Sequence, residues 1–105
     1  MNLITVSGPP SSGMSTSMLV TKMEKAAASQ GVEAKIFAVP VSEVDQEFAS
    51  QTIDVLLIGP QVRFMLDEYK SKFEPATKVS DINMMDYGTM NGEKVFAAAM
   101  ALLGD

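Results

Sequence analysis

The residues best placed to do chemistry lie in one run near the N-terminus, Ser7-Gly8-Pro9-Pro10-Ser11-Ser12-Gly13-Met14-Ser15-Thr16. A short apolar run, Leu3-Ile4-Thr5-Val6, precedes it, and a helical pattern begins near Met14. A glycine- and serine-rich turn between a strand and a helix aims several backbone N–H groups into one small concavity. The positive end of the helix dipole adds to that field, so the expected guest is a phosphate or similar anion. Ser11, Ser12, Gly13, Met14, Ser15 and Thr16 are the expected holders. Gly13 suits close backbone approach or a positive φ, whereas Pro9 and Pro10 stiffen the turn and remove two donors. The hydroxyl residues also suit caps and turns.

Two familiar phosphate chemistries fit poorly. From Gly8 to Ser15 the run nearly spells the nucleotide-binding pattern GxxxxGK[ST], but Met14 stands where lysine must reach the terminal phosphates. A tyrosine-phosphatase type of loop needs a low-pKa cysteine and an arginine clamp, and residues 7–15 hold neither. Hydrolysis by that second route is excluded.

Composition narrows the classes further. The 105 residues suit one domain with one core, and 47% apolar against 20% charged residues reads as compact rather than disordered. A net charge of −5, with lysines scattered, argues against a nucleic-acid binder. No apolar run reaches the roughly 18 residues that a membrane helix needs. No basic segment with a long apolar one opens the chain, so a cytoplasmic address is expected. Cysteine and histidine are both absent, which removes disulfides, thiolate metal sites and the commonest metal ligand. No metal or other cofactor is expected. Nine methionines suit adaptable core filling, with Met14, Met18, Met84, Met85 and Met90 as candidates for a docking face.

The elements that would position the run alternate along the chain. Residues 2–6 read as a strand. Residues 14–30 read as a helix with Leu19, Met23, Ala26 and Ala27 inward, stopped by Gly31. Residues 35–39 form a second strand ended by Pro40, and Ser42 with Asp45 suggests a capping box for a helix carrying Val44 and Phe48. The segment 54–58, apolar without a break after Asp54, suits a strand buried on both faces. Pro60 is tolerated in a first helical turn, and Val62, Met65, Leu66, Tyr69 and Phe73 recur at helical spacing. Residues 78–82 make a weaker strand. A loop is expected over 83–90, followed by a helix capped by Asn91 with Val95, Phe96, Ala99, Leu102 and Leu103 inward. The pattern predicts a small, doubly wound α/β domain with helices on both faces of a parallel sheet. Ligands of such sheets bind beyond the strands' carboxyl ends, where the 7–17 loop, the Gly59-Pro60-Gln61 turn and the 83–90 loop would gather.

Three stretches carry a family resemblance in order and spacing. Gly13-Met14-Ser15-Thr16-Ser17-Met18-Leu19-Val20 after the first strand resembles the start of the phosphotransferase-system enzyme IIB of lactose/cellobiose (chitobiose) type. Leu57-Ile58-Gly59-Pro60-Gln61-Val62-Arg63-Phe64-Met65 and Asp86-Tyr87-Gly88-Thr89-Met90-Asn91-Gly92-Glu93-Lys94-Val95 resemble its third-strand turn and its passage into the last helix. The resemblance implies a single domain over residues 1–105, with a four-stranded parallel sheet and helices on both sides. It also implies a phosphocarrier that receives phosphate from a IIA phosphohistidine and passes it to sugar on the membrane component IIC. Gln61 and Tyr87 are the expected partner contacts, and a monomer is expected.

The chain departs from that family at the acceptor. Members carry a phosphorylated cysteine at the end of the first strand, and this sequence has none. Matching from the strand end puts Ser7 there, with Gly8-Pro9-Pro10 as extra loop; an ungapped match back from Gly13 puts Pro10 there. A hydroxyl stays protonated at neutral pH and needs a general base. The expectations are therefore a IIB phosphocarrier slowed at its acceptor, or a binding or regulatory homologue that keeps the anion pocket and partner face.

Overall fold

The computed structural model describes residues 2–8, 13–50, 52–74 and 76–104, with side chains described from Ser17 onward. Four strands and five helices are found among them: β1 (Asn2–Gly8), α1 (Gly13–Ser29), β2 (Ala34–Pro40), α2 (Val44–Ser50), β3 (Val55–Ile58), α3 (Leu66–Phe73), β4 (Lys78–Asp81), α4 (Met84–Gly88) and α5 (Gly92–Leu102). Short 3-10 turns at Val41–Glu43 and Pro60–Met65 lead into α2 and α3. The strands pair in the order β2-β1-β3-β4, and every pairing is parallel.

The apolar run in β3 explains why helices cover both faces. Successive strand residues point to opposite sides, so an unbroken apolar strand needs a cover on each. Val55 and Leu57 join one core with Leu19, Met23, Ala26 and Ala27 of α1 and Val95, Phe96 and Ala99 of α5. Leu56 and Ile58 join the other, with Val44 of α2, Val62, Tyr69 of α3 and Val79 of β4. Burying each large apolar side chain contributes about 1.5–3 kcal/mol before chain entropy is subtracted.

Several local readings hold. Gly31 takes φ +68°, the left-handed conformation that ends α1. Asn91 caps α5 by accepting a hydrogen bond from the Lys94 N–H at 3.1 Å. Pro60 opens its 3-10 turn, where its missing N–H costs nothing.

Three readings need correction. Ser42 does not cap α2: it lies inside the Val41–Glu43 turn, which carries no side-chain cap, and α2 starts at Val44. The 83–90 segment is not all loop, because Asn83 accepts from the Met85 and Asp86 N–H groups at 2.9 and 3.2 Å and starts α4. The helical spacing from Val62 to Phe73 is split: Val62, at φ −121°, is non-helical, and the regular helix begins only at Leu66.

Candidate functional site

Because the strands run parallel, their carboxyl ends share one edge. Ser7 is in register with Ile58, Ile58 with Asp81, and Gly8 with Pro40. The chain lays β2 on one side of β1 and then β3 on the other, so the winding direction reverses between β1 and β3. At such a switch point the connections leave the sheet toward opposite faces and open a crevice, where doubly wound sheets take their ligands. One side of this crevice is marked by the end of β1 and the start of α1. The other is the Pro60–Met65 turn, which packs on β1 as well as on β3.

Of the first wall, Pro10, Ser11 and Ser12 lie outside the described residues. Ser7 ends the part of β1 that pairs with β3, and Gly13, Met14, Ser15 and Thr16 form the first turn of α1 in backbone; their side chains are not among those described. The first four N–H groups of a helix have no partner within it. Carboxylates occupy the first turns of the other helices: Asp45 and Glu47 in α2, Asp67 and Glu68 in α3, Asp86 in α4, Glu93 in α5. The first turn of α1 has none. The signal is already in the sequence, whose first acidic residue is Glu24.

The second wall brings together what the sequence suggested. Pro60, Gln61, Met84, Tyr87 and Gly88 line one cavity of about 320 Å³ with an almost wholly apolar surface. Gln61 is exposed, while Tyr87 is only 5% exposed and packs in the α1/α5 core. Met84 and Met85 are about three-quarters exposed and Met18 half exposed, as is expected of a docking face. Met90 instead packs partly against the core, at φ 55°.

One polar contact at this edge escaped the sequence reading. Arg63 Nε donates to Asp81 Oδ2 at 3.1 Å, tying the turn after β3 to the end of β4. Asp81 gave no signal on its own; only its register opposite Ile58 places it at the edge. A larger cavity, about 540 Å³, lies away from this edge among Lys22, Lys25, Asn91 and Gly92. No cluster of possible metal ligands occurs among the described residues.

A parallel sheet wound in both directions, with its crevice beside a carboxylate-free helix start, defines a small α/β domain organised around that edge. The chain belongs to the lactose/cellobiose-specific IIB subunit family of the PTS system, whose pattern matches residues 11–98. It is 50% identical over 95 residues to the galactose-specific EIIB component of a PTS system from Lactococcus lactis subsp. cremoris, covering 87% of this chain and 88% of that protein. Identity is 40% over 94 residues to the oligo-beta-mannoside-specific EIIB component of Bacillus subtilis, covering 89% of each. The solution structure of the cellobiose-specific phosphotransferase IIB component from Borrelia burgdorferi superposes with a TM-score of 0.70 at 35% identity, covering 96% of this chain and 92% of that one. Membership makes the chain a phosphotransferase-system component of the sugar-uptake class. The matched segment begins at Ser11, so Ser7 and Pro10, the two candidate acceptor positions, both precede it.

Proposed function

We propose that this chain is a cytoplasmic IIB subunit of a sugar phosphotransferase system, a single domain over residues 1–105 standing between IIA and the membrane component IIC. The observation that carries the reading is the α1 N-terminus, free of carboxylates in its first turn and set at the switch point of the sheet. Phosphate from a IIA phosphohistidine attaches at the position of Ser7, and the N–H groups of residues 11–16 hold its oxygens. The N–P bond of phosphohistidine breaks as a bond from phosphorus to the acceptor forms, and the acceptor's proton goes to the freed imidazole. Fixed dipoles supply most of the stabilisation. The apolar cavity at Gln61 and Tyr87, with exposed Met84 and Met85 beside it, receives the partner's surface.

Serine changes the rate of this step. A cysteine thiol, with an unperturbed pKa near ~8.5, is lowered further at a helix N-terminus and reacts as thiolate. A hydroxyl does not ionise there, and this chain has neither histidine nor a loop carboxylate to take its proton. The complete absence of cysteine supports a second reading, a binding or regulatory homologue that docks with IIA or IIC without relaying phosphate.

Incubation with labelled phospho-IIA separates the two. Little label is expected on the unaltered chain, and close to one phosphate per chain on Ser7→Cys. Uptake by Pro10→Cys alone moves the acceptor to position 10. No uptake by either folded variant overturns the phosphocarrier reading in favour of docking without transfer.

A further inference from the structure

A phosphoryl group arriving at this edge carries about two negative charges, and the sequence from β1 into the first turn of α1 supplies no cationic side chain to meet them. Of the eight lysines and arginines, none falls within residues 1–21. Lys35 and Lys78 sit at the opposite, amino-terminal ends of β2 and β4, and Lys70 and Lys72 lie in the last turn of α3. Lys22 and Lys94 lie far down the α1/α5 face. An added Cβ on Gly92 would come within 2.5 Å of the Lys22 backbone, so α5 begins opposite Lys22, nine residues beyond Gly13. At 1.5 Å per residue that is roughly 14 Å from the start of α1. Lys25 is farther still. Arg63, the sole arginine, is the one cation in the segments that leave the strands' carboxyl ends.

Its placement is specific. The turn that carries it packs on β1, the strand of Ser7, as well as on β3. Its guanidinium is held aside toward β4 by Asp81, whose Cα lies two strands from Ser7 along one line of register, roughly 10 Å away. The Arg63 side chain is 72% exposed, so it is free to swing on its own long stem without unpacking anything. Asp81 offers it a carboxylate, the same planar oxygen pair that a phosphoryl group presents with more charge.

We propose that Arg63 is the phosphoryl-binding cation of this edge and Asp81 its resting partner: the guanidinium leaves Asp81 for the phosphoryl oxygens when the charged group enters the crevice. The inference rests on the phosphate reading of the β1–α1 junction. It adds a side chain from the opposite wall and a competitor that sets the affinity.

Titration with inorganic phosphate, followed by amide and Arg63 Nε–H resonances, tests it on the folded chain. Asp81→Asn is expected to tighten phosphate severalfold by releasing Arg63. Arg63→Gln is expected to weaken it about tenfold, as loss of one charge-assisted contact does. Arg63→Lys should recover part of that loss, and Asp81→Asn should have no effect once Arg63 is replaced. If the amides of residues 13–16 respond to phosphate but the Arg63 and Asp81 variants leave the affinity unchanged, this inference is overturned and the anion site stands. If those amides do not respond at all, both fall together.

Discussion

The two faces of the sheet are built by different means. Against one face, α1 and α5 press close through small residues: Ala26, Ala27 and Ala99 are buried, and at Gly92 there is no room for even one carbon. Against the other, short helices meet through rings. Phe48 and Phe73 stack at 3.7 Å, Tyr69 lies 5.8 Å from Phe73, and Lys72 donates to Asp45 at 2.8 Å across the α2–α3 boundary. The first face positions α1, and with it the candidate phosphate site, by steric fit that salt and pH leave alone. The second holds the Pro60–Met65 turn and its arginine through contacts that include titratable groups. The site thus has one wall on a rigid support and another on a support that responds to solution conditions.

The strongest way to break that contrast is to open the first face. Phe96 is completely buried between α1 and the sheet, and Phe96→Ala should cost about 3–5 kcal/mol through lost transfer energy and a cavity. Chemical denaturation measures it; a loss under about 1 kcal/mol would mean that α5 does not hold α1 in place.

Gly92→Ala is the next largest. The new methyl group meets backbone rather than a yielding side-chain tip, so α5 must move off α1, at about 1–3 kcal/mol. A melting temperature unchanged from the parent would contradict the close approach.

On the second face, effects should be smaller and depend on pH. The Tyr69 hydroxyl donates to the Val41 carbonyl at 3.3 Å, and Tyr69→Phe should cost about 1 kcal/mol at neutral pH. Burial first, then the charges of Asp45 and Glu68, raise the Tyr69 pKa above 10.0. The hydrogen bond to Asp45 raises that of Lys72 above 10.5. In both cases the folded state favours the protonated form. The stabilisation is therefore complete below about pH 10 and is lost as pH rises through the folded-state values. Stability should fall in that alkaline range, and Tyr69→Phe should flatten part of the fall; an identical profile for both proteins would remove tyrosine from the account.

Much of this was legible before any coordinates. The unbroken apolar run that follows Asp54 could be read as a two-sided strand because burial on both faces leaves no polar alternation, and Val55–Ile58 is buried throughout. Gly31 and Asn91 announced their helix ends through conformations and caps that few residues supply. Two of the three misreadings are at polar, short-range features, and the third is the apolar spacing from Val62 to Phe73, which runs through a 3-10 turn before α3 begins. Ser42 with Asp45 had the spacing of a capping box, but the chain leaving Pro40 tightens into a 3-10 turn that absorbs Ser42. Asn83 had an equally good capping pattern, obscured because the helix it starts is only five residues long. The Arg63–Asp81 pair joins residues from two separate strand ends, so nothing short of the sheet order could bring them together.

The central claim is that the start of α1 grips a phosphoryl group. It is tested most directly by titrating the unaltered chain with inorganic phosphate while following backbone amides. The α5 start, capped by Asn91 and carrying Glu93, serves as an internal control. Saturable shifts at residues 13–16, with those at 93–96 unmoved, are the expected result. Amides of both helices moving together in proportion to ionic strength, or none moving, would contradict it.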